Sequence, residues 1–398
     1  MTLASELGFT PRQRLLSLAA VIATAFGVGL SFGIGFPLTA LTFEAWHQPK
    51  WIIGLAGSAP AIAVLVALPV LPRLVARLGP VTAISIGCLA GATGFLTLYA
   101  FPSPWAWIVI RLLMSVGFAL PWLAGETWIN SVSAENTRGR VIAVYAIAFF
   151  LGFSLGPVTL QTLGLTGLWP FLAGAIGTGV ACVPILLARH LAPEFCHDGS
   201  RNLLSALRLA PAAMAAAFIG GFAEISNISL IPNVALAAGL SQRDALLLLS
   251  VMTLGGIALQ FPIGWLSDKV SRFAVTVVLA LAFIALVLTL PLVLTTPVAA
   301  RTIAFLLGGV ILGFYTLGLA VVGERVGAND LAAANAAFLV MYQAGSILGP
   351  LSAGIAMTVA PVTGFVATMV GLMIVCILAV VFLERRDHRK TRKADRPV

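Results

Sequence analysis

The chain has 398 residues, of which 60% are apolar and only 9% charged, and its mean hydropathy is +1.05. A soluble domain carries about 25% charged residues, so a water-solvated globule is excluded; a membrane β-barrel is excluded as well, because its strands alternate apolar and polar over about ten residues whereas these apolar runs are continuous. The net charge of +9 does not point to nucleic acid, because membrane topology accounts for where the basic residues fall.

With ~20 apolar residues as the length that crosses a bilayer, twelve spans are predicted in chain order. They cover 15–41, 51–71, 81–100, 105–125, 141–162, 168–188, 209–236, 245–266, 273–294, 302–322, 332–358 and 362–383. Within the first, Ala23-Thr24-Ala25 follows Arg12 and Arg14 in the manner of a signal-peptidase site. The run nevertheless continues to Ala40, longer than a signal h-region, so a span is expected. Of the 23 Lys and Arg, all but Lys50, Arg111, Arg243 and Arg301 fall on the N-terminal side of the membrane in this threading. The bias places both termini in the cytoplasm. The basic tail, Arg385 to Arg396, reads as a topology anchor beside anionic lipid. Cys88, Cys182 and Cys376 lie in apolar runs and Cys196 in the central loop, and all four read as free thiols.

The chain repeats itself. The turn after span 8, Gly264-Trp265-Leu266-Ser267-Asp268-Lys269, matches the turn around Arg73 and Arg77 after span 2, with Asp268 opposite Ala76, 192 residues earlier. Span 5 carries Gly152-Phe153-Ser154-Leu155-Gly156-Pro157 and span 11 carries Gly345-Ser346-Ile347-Leu348-Gly349-Pro350, 193 residues later. Two motifs agreeing in offset imply two homologous halves. The expected organisation is an N-terminal six-helix bundle over 1–188, a cytoplasmic linker over 189–208, a C-terminal six-helix bundle over 209–384, and a basic cytoplasmic tail over 385–398.

These residues together resemble the major facilitator superfamily: six plus six spans, the Gly-x-x-x-Asp-Lys turn ending at Lys269, Arg111 in span 4, and Gly-x-x-x-Gly-Pro in span 5. The resemblance covers nearly the whole chain. The stretch Gly125-Glu126-Thr127-Trp128-Ile129-Asn130, with Arg138-Gly139-Arg140 after it, is similar to a bacterial subgroup described only as transporters. The resemblance implies an all-α, multi-pass protein of a bacterial inner membrane, with substrate bound near the midplane by alternating access and spans 1, 4, 7 and 10 lining the cavity.

Glu224 is the sharpest candidate. It lies about fifteen residues into span 7, near mid-bilayer. A charge at that depth costs ~2.5–3.5 kcal/mol or more, so the carboxyl either pairs or takes a proton. It is read as a proton-accepting or cation-pairing site, or else as a structural carboxyl bonded to a neighbouring helix. Asn227 is expected on the same face at i+3. Arg111, with Ser115 and Gly117 after it, resembles the family's span-4 motif, whose Arg is tied to proton transfer. An Arg111–Glu224 pair across the cavity is therefore expected, against the alternative that Arg111 snorkels outward. The resemblance makes Asp268 and Lys269 part of a cytoplasmic gate closing onto Arg138 and Arg140 at the start of span 5, where an acid also suits the helix dipole. Because Ala76 replaces the acid in the first half, the matching lock onto span 11 should be weak or absent. Gly152, Gly156, Pro157, Gly345, Gly349 and Pro350 are expected to serve close helix packing. Phe32, Trp122 and Tyr315 are candidate cavity residues. Glu126 and Glu324 are read as loop salt-bridge partners of Arg138, Arg140 or Arg325 rather than as ligands.

No Gly-x-x-x-x-Gly-Lys-Ser/Thr loop is present, which argues against an ATP-driven pump. His47, His190, His197 and His388 all fall in loops or the tail, so no metal site is expected. No catalytic constellation stands out, and neither an enzyme nor a cofactor is expected. The predicted function is secondary active transport of a small organic, amphiphilic solute, coupled to protons, with export favoured over uptake. The expected partners are that solute, protons and membrane lipid; the protein is expected to be a monomer and to bind no nucleic acid. The alternatives are a lipid-handling flippase and a non-transporting membrane scaffold or sensor.

Overall fold

The computed structural model describes residues 9–134, 137–193, 207, 210–326 and 330–394. Among them twelve helices are long and apolar enough to cross a membrane. They are α1 (Pro11–Ala45), α2 (Lys50–Ala67), α3 (Pro80–Ala100), α4 (Pro104–Val132), α5 (Arg138–Leu163), α6 (Trp169–Leu187), α7 (Pro211–Ala237), α8 (Gln242–Lys269), α9 (Arg272–Val293), α10 (Pro297–Arg325), α11 (Leu331–Val359) and α12 (Pro361–Ala394). Six begin with proline, at residues 11, 80, 104, 211, 297 and 361. Proline suits a first helical position, because its missing N–H would have no intrahelical partner there anyway. Thr10 caps α1 through a reciprocal bond with Gln13, and Ser241 and Ser271 cap α8 and α9.

Most helices run a few residues past their predicted apolar limits, because the backbone ladder continues where the apolar run stops. Span 2 stops four residues short of its predicted end. Its helix ends at Ala67, and a separate amphipathic helix, Leu71–Leu78, carries Arg73 and Arg77. Pro69 and Pro72 have no N–H to donate, so the ladder cannot pass through unbroken. The expected linker over 189–208 falls mostly outside the described residues, and Cys196 with it; Cys88, Cys182 and Cys376 are free thiols.

The helices form two six-helix bundles with the same internal packing. In the first, α1 lies against α5, α2 and α3 against α4, and α6 against α1 and α3. In the second, α7 lies against α11, α8 and α9 against α10, and α12 against α7 and α9. Glycine sets the α1–α5 and α7–α11 seams. Gly29 meets the Phe149 carbonyl and Gly152 the Phe26 carbonyl; in the second bundle Gly221 meets the Tyr342 carbonyl and Gly345 the Phe218 carbonyl. A Cβ at any of the four would overlap backbone, so these contacts exist only because the side chain is absent. Gly156 packs against Gly33, and Gly349 against Phe222 and Ser226, on the same seams.

The bundles meet along α1–α7, α2–α7, α2–α11 and α5–α8. The terminal face, where α1 begins, is distinct from the opposite face, where α1 ends and α2 begins. Among the described residues, the hydrogen bonds joining the bundles all lie toward the opposite face. Asn233 Nδ2 of α7 donates to the Ala40 carbonyl at 3.2 Å and to Glu44 Oε2 at 2.7 Å, and Glu44 is ion-paired with Lys50. Ser58 of α2 donates to the Ile347 carbonyl of α11 at 2.7 Å, beside the contact of Gly54 with Pro350. No substantial packing joins α4 to α10, so the bundles stand apart between these two helices.

Candidate functional site

Glu224 sits thirteen residues into α7, about 20 Å along its axis at 1.5 Å per residue. Its side chain is 9% exposed. Tyr342 Oη of α11 donates to Oε2 at 2.8 Å; Oε1 accepts no hydrogen bond among the described residues. The Tyr342 ring lies edge-on to Tyr315 of α10 with centroids 5.3 Å apart, and Tyr315 stands edge-on to Phe338. The glycine seam fixes this arrangement, because Gly221 packs on the backbone of Tyr342 itself and so sets the height of the phenol against α7.

The first bundle carries the same constellation in apolar form. Gly29 meets Phe149 as Gly221 meets Tyr342, which aligns position 32 with position 224 and position 149 with position 342. Phe32 thus stands where Glu224 stands, Phe149 where Tyr342 stands, and Trp122 where Tyr315 stands, at offsets of 192, 193 and 193 residues. The ring pairs repeat. Trp122 and Phe149 are edge-on at 5.3 Å and 88°, and Tyr315 and Tyr342 at 5.3 Å and 82°. Phe32 adds contacts to Phe149 at 5.9 Å and Phe118 at 4.8 Å. At these three aligned positions one wall of the space between the bundles is therefore aromatic and uncharged, and its symmetry mate is phenolic and acidic.

Glu126 belongs to this space and not to a loop. It lies one turn beyond Trp122 on α4, exposed to solvent yet surrounded by protein, as expected for the wall of a narrow vestibule. Tyr315 lies within electrostatic reach of both Glu126 and Glu224, and Tyr145 of α5 within reach of Glu126. Neither carboxyl forms an ion pair among the described residues. Sequence reasoning read Glu126 as a loop salt-bridge acid and did not name Tyr145, Phe149 or Tyr342. The signals present were the i, i+4 spacing of Trp122 and Glu126 and the 193-residue offset of Phe149 and Tyr342.

Several expected relations are not formed. Arg111 does not reach Glu224. It is 6% exposed inside the first bundle, where Nη1 donates to the Gly35 carbonyl at 3.0 Å and Thr39 Oγ1 at 2.9 Å. Its Nε donates to the Ala56 carbonyl at 3.3 Å, and the guanidinium lies 5.1 Å from the Phe36 ring centroid. Carbonyl and hydroxyl oxygens of α1 and α2 satisfy the cation in place of an acid, and it does not snorkel. Asn227 turns away from the vestibule. It donates to the Ala223 carbonyl of its own helix at 2.7 Å and rests against Met369 of α12, because three residues along a helix is a rotation of about 300°, enough to leave a narrow opening.

At the terminal face the expected lock is open. Asp268 is exposed and has no ion pair with Arg138 or Arg140, and Lys269 lies over the Trp265 ring at 3.9 Å. Among the described residues no ion pair joins the two bundles on that face. Glu324 pairs with Arg272 at 3.3 Å, a partner that the sequence reading did not name. Pro350 packs against Gly54 and Gly57 of α2, while Pro157 is buried within α5.

The Major Facilitator Superfamily profile matches residues 16–314 and 212–398. The chain belongs to the major facilitator superfamily. An uncharacterized superfamily transporter of Bacillus subtilis, YfkF, is 29% identical over 335 residues, covering 82% of this chain and 85% of the relative. YcaD of Escherichia fergusonii, likewise an uncharacterized superfamily transporter, is 28% identical over 308 residues, with 76% and 79% covered. Among solved structures, a point mutant of the nucleoside transporter NupG superposes with a TM-score of 0.74 at 17% identity, covering 92% of this chain and 99% of its own. A point mutant of the peptide transporter POT, in complex with sulfate, superposes at 0.73 with 14% identity, covering 93% and 94%. Superfamily membership makes the chain a multi-pass membrane transporter and not an enzyme, and the structural likenesses establish the fold.

Proposed function

We propose that the protein is a proton-coupled secondary transporter that moves a small amphiphilic organic solute by alternating access, with the terminal face in the cytoplasm of a bacterial inner membrane. The observation that carries this reading is Glu224: a carboxyl in the middle of a spanning helix, with one oxygen held by Tyr342 and the other accepting no hydrogen bond among the described residues. A carboxylate at that depth is expensive unless neutralised, so proton uptake and solute entry compete for one group. The seals of Asn233, Glu44 and Ser58 on one face, and the open Asp268 on the other, supply the two ends of an alternating-access cycle. The distribution of Lys and Arg supports the orientation. Export is the proposed direction.

The test is transport into proteoliposomes under an imposed pH gradient, screened against a panel of amphiphilic solutes. The expected result is a gradient-driven component that disappears in Glu224→Gln while exchange of solute at equal pH persists. Undiminished gradient-driven transport in Glu224→Gln would remove Glu224 from the coupling step.

A further inference from the structure

We propose that the vestibule selects organic cations that carry an aromatic or bulky apolar body, with the charge held between Glu126 and Glu224 and the body against Trp122, Phe149 and Phe32. This specificity rests on the transport reading above and adds to it the sign of the charge. The argument begins with the charge balance. Glu126 and Glu224 are two carboxyls in one space, and among the described residues neither is paired with a Lys, Arg or His. The nearest candidate cation in the membrane interior, Arg111, is turned into the first bundle and satisfied by Gly35, Thr39 and Ala56. A vestibule with this imbalance repels anions and concentrates cations.

The second element is the broken symmetry. Positions 32, 149 and 122 in the first bundle are all carbon-faced rings, and positions 224, 342 and 315 in the second are carboxyl, phenol and phenol. At this level a solute lodged between the walls meets π faces on one side and oxygen on the other, with Glu126 one turn beyond Trp122 on the aromatic side. Aromatic faces attract cations and apolar bodies alike, whereas a sugar or a phosphate laid on those three ring faces would lose hydrogen bonds there. Glu126 lies near the terminal end of α4 and Glu224 deeper in α7, so the two acids mark a mouth and a floor.

The test uses the full-length protein in lipid nanodiscs and two probes of nearly equal shape and opposite charge, tetraphenylphosphonium and tetraphenylborate. Specific binding is the part lost in the Glu126→Gln/Glu224→Gln double variant. The expected result is specific binding of the phosphonium and none of the borate. Each single Gln variant, and Trp122→Ala, should weaken the phosphonium by about tenfold, the size of one charge contact in a half-polar cleft. Binding of the borate as well as the phosphonium, or phosphonium affinity unmoved by all three variants, overturns the proposal. Trp122→Ala carries no charge change, so it keeps the test decisive if a Gln variant fails to fold. The same preparation is labelled at Ser229→Cys in the seam between the bundles. A protein whose seam opens and closes but ignores the phosphonium refutes the cation specificity and leaves alternating access standing; a seam that never opens refutes transport.

Discussion

Asn233→Ala should release the opposite face. In the closed state Asn233 makes one bond to a neutral carbonyl at 3.2 Å and one to the Glu44 carboxylate at 2.7 Å. The first is worth about 1 kcal/mol and the second about 1.5–3 kcal/mol. Glu44 keeps Lys50 and the Ala40 carbonyl keeps its helix, so little is gained back by their new freedom. When the bundles separate here, water satisfies all of these groups and the wild-type advantage vanishes. The whole difference, about 2.5–4 kcal/mol, therefore falls on the closed state and shifts the equilibrium toward opening by about 60- to 700-fold. Ser229 reports the change. It is 3% exposed, packs on Gly57 across the seam, and has no hydrogen-bond partner for its hydroxyl. With the native cysteines replaced, labelling of Ser229→Cys by a membrane-impermeant maleimide should be slow in the parent and much faster with Asn233→Ala. Equal labelling rates would refute the claim that Asn233 seals this face. Asn233→Asp sharpens the test, since a second carboxylate beside Glu44 should accelerate labelling further.

Three other outcomes are expected. Gly29→Val and Gly221→Val each drive a side chain into a facing carbonyl, so each should cost about 1–3 kcal/mol or more and lower the unfolding temperature, read by tryptophan fluorescence in detergent. Gly179→Ala, with open space around it, should change nothing by the same measure. Arg111→Lys should lower the unfolding temperature because an ammonium cannot span Gly35, Thr39 and Ala56 together; unchanged stability would show that the guanidinium is not a structural tie within the first bundle. Asp268→Asn should leave the stability of this state within about 0.5 kcal/mol, since Asp268 is exposed and unpaired here, yet raise thiol labelling of cysteines on the vestibule wall from the terminal face. A fall in unfolding temperature without that rise would make Asp268 a local structural charge.

The membrane class, the twelve spans and the repeat were legible in the residues because each rests on local or periodic information. A bilayer requires about twenty apolar residues whatever their neighbours, and a 193-residue offset survives as matching glycines. The first span illustrates the limit of that reading. Its apolar run predicts 15–41, and the helix covers Pro11–Ala45 because Thr10 and Pro11 start it outside the apolar stretch. Pairings were another matter. Arg111 and Glu224 looked like partners because each is a lone charge in an apolar run. The fold instead gave Arg111 the carbonyls of α1 and α2, and gave Glu224 a tyrosine 118 residues away. Glu126 looked like a loop acid because it lies near the end of an apolar run, and the helix continuing to Val132 places it on the vestibule wall.

The sequence by itself determined which segments enter the lipid, which face carries the basic residues, and that one half descends from the same pattern as the other. Only the tertiary structure decided which side chains share the space between the halves and which face is sealed. The physical reason is distance along the chain: hydropathy and helix start signals act over a few turns, whereas a carboxyl chooses its partner among groups more than a hundred residues away, and only packing ranks them.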